Sequence, residues 1–89
     1  MNYTFKENQL DYETYYILRK SVKWNNWSRE QAEIALGNSY YTVTVFDNKV
    51  PIGMGRAVGD GIYFMIMDIV VKPEYQRMGI GSTIIHMLL

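Results

Sequence analysis

The sequence predicts an α/β domain, α+β-like in that most strand pairing is antiparallel, and three stretches carry the prediction. Tyr40-Tyr41-Thr42-Val43-Thr44-Val45-Phe46 and residues 50–58 flank the turn Asp47-Asn48-Lys49, which makes a hairpin. Residues 63–71 are apolar except for Asp68 and rich in β-branched and aromatic side chains, the composition of a strand covered on both faces. Lys72-Pro73-Glu74 then stops that strand, and Gly79-x-Gly81 leads into residues 83–89, which look helical.

Taken in order, Tyr3-Thr4-Phe5-Lys6-Glu7 alternates as a half-buried strand does. Asp11 is placed to cap a helix with Glu13 in its first turn, which sets Tyr12, Tyr15, Tyr16, the Arg19 stem and Val22 at helical spacing and runs toward Trp24. Asn25-Asn26 breaks the pattern. Ser28, with Gln31 three residues on, is a capping-box signal, so a second helix over 29–36 follows and ends at Gly37-Asn38. Pro51, Gly53 and Gly55 are awkward in a regular ladder and predict an edge position or a bulge for strand 50–58. Gly59-Asp60-Gly61 turns the chain into the last strand. The order is strand, two helices, three-stranded antiparallel meander, glycine turn, helix. Ile84, Ile85, Leu88 and Leu89 form an apolar stripe that no Gly, Asn or basic residue closes, so residues 1–89 read as one partial domain, the N-terminal portion of a larger one.

Composition narrows the function. A hydrophobic content of 48% with 20% charged residues is that of a globular chain. Nine basic residues balance nine acidic ones, so no global field favours nucleic acid or an anionic membrane as partner. The absence of cysteine removes disulfides, thiolate metal sites and a cysteine acyl-enzyme, and no metal site is expected. The start has no apolar core of leader length, and no run approaches the roughly 20 apolar residues of a membrane span, so cytoplasm is the expected setting.

The glycine turn carries the chemistry. The first turn of a helix has N–H groups without partners and the positive end of the helix dipole, and a phosphate satisfies both. Glycine at 79 and 81 removes the Cβ atoms that would hold a ligand away. A dinucleotide fingerprint would need glycine where Ile84 stands, and a P-loop would need Gly-Lys-Ser/Thr; neither is present.

The stretch from Val71 to Gly81 resembles the coenzyme A signature of the GNAT superfamily of N-acetyltransferases, Gln/Arg-x-x-Gly-x-Gly/Ala, matched by Gln76, Gly79 and Gly81. The upstream element order is similar to the first half of that fold, so the resemblance spans essentially the whole chain. It implies transfer of an acetyl group from acetyl-coenzyme A to the primary amine of a small molecule or protein, by direct attack in a ternary complex. It also implies that backbone groups of Arg77, Met78, Gly79, Ile80, Gly81 and Ser82, with Gln76 shaping the loop, cradle the cofactor's diphosphate. Main-chain groups of Ile69, Val70 and Val71 would pair with the pantetheine arm. Asp68 is read either as a proton acceptor or as a carboxylate that bonds a nearby turn or helix N–H. Trp24 and Trp27 read either as an aromatic wall for the amine or as helix-end core. His86 reads as a helix-surface histidine. The alternative reading is a non-catalytic coenzyme A-binding or interaction module that forms a homodimer through its uncovered strand and helix.

Overall fold

A computed structural model describes residues 3–89; Met1 and Asn2, the first two residues of the start read above, lie outside the described residues. The chain runs β1 (Tyr3–Glu7), α1 (Tyr12–Ser21), α2 (Arg29–Gly37), β2 (Tyr41–Asp47), β3 (Val50–Gly59), β4 (Phe64–Val71), a 3-10 turn (Pro73–Tyr75) and α3 (Ile80–Leu88). Asp11 caps α1 by accepting the Thr14 N–H at 2.9 Å, and Ser28 Oγ accepts the Gln31 N–H at 3.2 Å to start α2. α1 ends before the expected Trp24, because Lys23 takes a left-handed backbone (φ 63°) and the Trp24 N–H turns back to the Arg19 carbonyl at 3.0 Å.

The four strands form one antiparallel sheet in the order β1-β2-β3-β4. Asn48 and Lys49, both at positive φ, make the tight hairpin turn between β2 and β3, as the twist of the paired strands favours. β3 lies inside the sheet rather than at its edge, which corrects one of the two readings of Pro51 and the glycines. The other is present: the β2–β3 register slips between Val45 and Phe46, opposite Pro51 and Gly53. β4 is the outer strand among the described residues, and only Val70 of its eight residues is buried, so the expectation of a strand covered on both faces does not hold.

The core has two halves. α1 and α2 cover one face, where Tyr15, Leu18 and Ala32 pack with Met54 and Val70. α3 covers the other, where Ile80 and Ile84 pack on Val43, Val45 and Ile52. Gly55 lets α3 approach the sheet: a Cβ there would meet Ile69 Cδ1 at 2.5 Å and Ile84 Cγ2 at 2.6 Å.

β4 carries a bulge that the sequence did not place. Met54 pairs with Val70 but Arg56 with Met67, so Asp68 and Ile69 together stand opposite Gly55, and Asp68 takes φ 57°. Strict alternation would align Asp68 with Ile66 and Val70. Instead Ile66 pairs with Ala57 on the opposite face.

Candidate functional site

The chain leaves β4 through Pro73–Tyr75, and that turn is pinned by the Tyr75 hydroxyl, which donates to Asp47 Oδ2 at 2.7 Å. This bond to a carboxylate, with some burial, raises the Tyr75 pKa. Gln76 then turns its side-chain amide back to donate to the Val71 carbonyl at 3.0 Å, tying the loop to the end of the strand. Arg77 and Gly79, at φ 67° and 80°, reverse the chain into α3.

Gly79 is the residue before the helix and offers no side-chain cap. Thr83 closes the first turn, its N–H at 3.1 Å and its Oγ1 at 3.0 Å from the Gly79 carbonyl. The N–H groups of Ile80, Gly81 and Ser82 therefore have no carbonyl within the helix to bond. A Cβ at Gly79 would meet nothing within 4 Å and one at Gly81 only Val71 Cγ2 at 3.9 Å. Gly79 is required by its backbone angle, whereas crowding from within the chain does not explain Gly81.

These residues line a groove of about 350 Å³ with Ile69, Val71, Gln76 and Arg77, and no carboxylate lines it. Helix N–H donors, an exposed guanidinium and the exposed Ser82 hydroxyl suit a diphosphate. The Val70 side chain is buried under α1, and the half-exposed Met78 side chain lies against Tyr3, whose hydroxyl reaches its sulfur at 3.4 Å, so neither side chain lines the groove. Ile80 is buried by its side chain and has only its backbone to offer.

One residue before Ile69, on the other side of β4, the Asp68 carboxylate is fully engaged. Arg19 Nη1 donates to Oδ1 at 2.7 Å, and Oδ2 accepts from Arg56 Nε at 2.7 Å and the Tyr15 hydroxyl at 2.9 Å. The partners are side chains, not the turn or helix N–H of the plainer sequence reading. Arg56 Nη1 donates onward to Ser39 Oγ at 3.2 Å, Arg19 Nη2 donates to the Asn25 carbonyl, and the Arg19 guanidinium lies 5.2 Å from the Trp24 ring centre. Burial first, and then the bond to Asp68, raise the Tyr15 pKa.

A recess of about 370 Å³ opens on this cluster, lined by Tyr15, Arg19, Trp27, Gln31, Arg56, Met67 and Asp68. The structure thus brings Trp27 and Asp68 together. Trp24 and Trp27 are 43% and 58% exposed, so neither is helix-end core. His86 is exposed on α3. Tyr15, Arg19 and Arg56 were missed as a group, because a polar contact across three elements leaves no spacing signal. The one available clue was a lone carboxylate inside an apolar strand, which needs partners. Among the described residues there is no cluster of three or more His, Cys, Asp or Glu side chains arranged for a metal, and no helix is long and apolar enough to cross a membrane.

Comparison with known proteins bears on this arrangement. The profile of the acetyltransferase (GNAT) family matches residues 3–89. The uncharacterised N-acetyltransferase ycf52 of Pyropia yezoensis is 32% identical over 74 residues, covering 78% of this chain and 42% of the relative. Its counterpart from Gracilaria tenuistipitata var. liui is 30% identical, with 41% of its length covered. The chain therefore spans less than half the length of these curated relatives. Among solved structures, a probable acetyltransferase from meticillin-resistant Staphylococcus aureus superposes with a TM-score of 0.89 at 37% identity, over 97% of this chain and 65% of that one. A GNAT-family acetyltransferase from Streptococcus pneumoniae gives 0.84 at 33%, over 97% and 64%. An aminoglycoside acetyltransferase from a soil metagenome, 13% identical with a TM-score of 0.72, shares the fold. The full-length match, the two superpositions above 30% identity and the glycine turn at the end of β4 agree, and the chain belongs to the acetyltransferase (GNAT) family.

Proposed function

We propose that this chain is the cofactor-binding part of a cytoplasmic N-acetyltransferase that moves an acetyl group from acetyl-coenzyme A to a primary amine, by direct attack within a ternary complex. The observation that carries the reading is the trio of unpartnered N–H groups at Ile80, Gly81 and Ser82, set on a left-handed Gly79 beside a strand with an open edge. Acetyl-coenzyme A would supply the activated acetyl group. The three N–H groups, Arg77 and the Ser82 hydroxyl hold the diphosphate. Along β4, Val71 stands opposite Gly53, one residue from the bonded Lys72–Ile52 pair, so alternation turns its backbone groups to the open edge. There its N–H can pair with the amide-bearing arm, its carbonyl being held by Gln76, as Ile69 can at the bulge. The engaged state of Asp68 supports a positioning role: it fixes the bulge and two guanidiniums rather than waiting with a free oxygen for a proton.

Titration of coenzyme A into the labelled protein tests this. The amides of Gly79 to Ser82 are expected to shift first and saturably. Gly79→Val, which puts a branched side chain at φ 80°, is expected to abolish the response. Saturable shifts confined to another surface would overturn the assignment.

A second reading has its own support. An apolar groove of about 700 Å³ runs between Phe64, Met65 and Ile66 on β4 and Met87 and Leu88 of α3 with the Leu89 that follows it. That surface favours a non-catalytic module that pairs with a second copy through the outer edge of β4. Sedimentation of the chain with and without coenzyme A separates the two: a monomer that binds the cofactor supports the first reading, and a dimer indifferent to it supports the second.

A further inference from the structure

The recess beside Asp68 is unbalanced in charge: two guanidiniums share one carboxylate, with side-chain exposures of only 10% for Arg19, 11% for Arg56 and 10% for Asp68. Cations removed from water need anions or hydrogen-bond acceptors, and here one cation has no counter-charge within the cluster. The donors are also in surplus. Each guanidinium carries five N–H groups, and the bonds described use two from Arg19 and two from Arg56. Arg19 Nε in particular is buried without a partner.

The recess and the groove meet along β4. Asp68 and Met67 line it, and Ile69, the next residue on β4, lines the groove on the other face. We infer that this recess takes a carboxylate, so that the acceptor is a primary amine that also bears an anionic group, such as an amino acid or a peptide end, and not a polycation. The inference rests on the acetyl-transfer reading for the amine, while the anion follows from the recess itself. The guanidiniums draw the carboxylate inward as a forked, charge-assisted pair and repel an ammonium, so the amine is left at the β4 edge. Trp27, exposed at the rim, covers the carbon chain between the two groups. A polyamine would place a cation against two guanidiniums, which like-charge repulsion opposes.

The test titrates three probes into the labelled chain and follows the Trp27 indole N–H and the Met67 methyl group. Glycylglycine, with amine and carboxylate, is compared with glycylglycinamide, which lacks the carboxylate, and with spermidine. Glycylglycine is expected to shift both signals saturably and to bind about tenfold or more tightly than the amide, with spermidine silent. Arg56→Gln should erase the difference between acid and amide. Because Arg56 also braces Asp68, Gln31→Glu provides a second variant: on an exposed position of α2 it adds a carboxylate to the recess and should abolish the preference without unfolding the chain. Equal binding of acid and amide by the unaltered protein, or tighter binding of spermidine, overturns the inference. A parallel coenzyme A titration keeps the two ideas apart. Shifts at Gly79 to Ser82 with no acid preference at Trp27 sink only this inference, and the reverse result sinks only the cofactor reading.

Discussion

Asp68 holds a left-handed backbone angle that costs a non-glycine residue about 1–2 kcal/mol, and three side-chain donors on its carboxylate offset that cost. Tyr15→Phe removes one of them while both arginines remain. It is expected to lower stability by about 1 kcal/mol, read as a lower urea midpoint with an unchanged slope. The same hydroxyl sets an alkaline limit. Its pKa is raised in the folded chain, so the folded state holds the proton more tightly than the unfolded one. The stabilisation is complete below about pH 10 and is lost as pH rises through the folded value. Tyr75, also raised, adds to the loss in the same window. Denaturation midpoints from neutral pH to beyond that limit should fall, and should fall less in Tyr15→Phe. Gly55 is governed by contact: Gly55→Ala forces its Cβ into Ile69, Ile84 and Leu88 and should cost about 1–3 kcal/mol. The loss of Ile84 packing would show as weakened hydrogen-exchange protection in α3. The glycine at 55 was legible in the sequence as an irregularity. Its cause, a helix packed against the strand, was not, because that contact joins elements 29 residues apart from Gly55 to Ile84.

At the scale of elements, β4, the loop and α3 form a unit joined by few bonds. Gln76 matters here through its bond to the Val71 carbonyl, which holds the loop against the strand end. Gln76→Ala should leave the fold intact, since the side chain is exposed, and weaken coenzyme A binding by a few-fold to about tenfold. An unchanged affinity in a binding titration would show that the loop keeps its shape without the tether. The strand, stop and glycine turn of this unit were all legible, because Pro73, Gly79 and Gly81 act through their own backbone preferences. The start of α3 was read late, at Thr83 instead of Ile80, because Gly81 within a first turn looks like more of the turn. The cap of α1 by Asp11 and of α2 by Ser28 were read correctly, both being local three-residue signals. The bulge in β4 was hidden, since nothing in the run from Tyr63 to Val71 marks where two residues will face one.

Residues 3–89 form a four-stranded sheet with helices on both faces and one apolar edge. Met65 and Leu89, 62% and 87% exposed, line the groove between β4 and α3, and Ile62 and Tyr63, 78% and 79% exposed, lead into β4. Monomers rarely show apolar patches beyond a few hundred Å². On the second reading, in which this edge pairs with a second copy, the 89-residue chain self-associates with rising concentration, which sedimentation velocity would register, and Met65→Lys on the outer strand shifts it toward monomer. A chain that stays monomeric throughout would show that this edge is not adhesive. The apolar richness of residues 63–71 was plain in the sequence, but burial depends on which neighbour a strand receives, and no property of the strand itself reports that.

The two-against-one step at Asp68 and Ile69 also bears on which changes in length this strand can survive. Losing Asp68 would restore a regular ladder in which Met67 still faces Arg56 and Val70 still faces Met54, so every other side chain of the strand keeps its face. A one-codon deletion of Asp68 should therefore spare the pairing and be felt through Arg19 and Arg56, which lose their carboxylate, whereas deleting Ile66 should be more damaging, because it turns one side of the strand over.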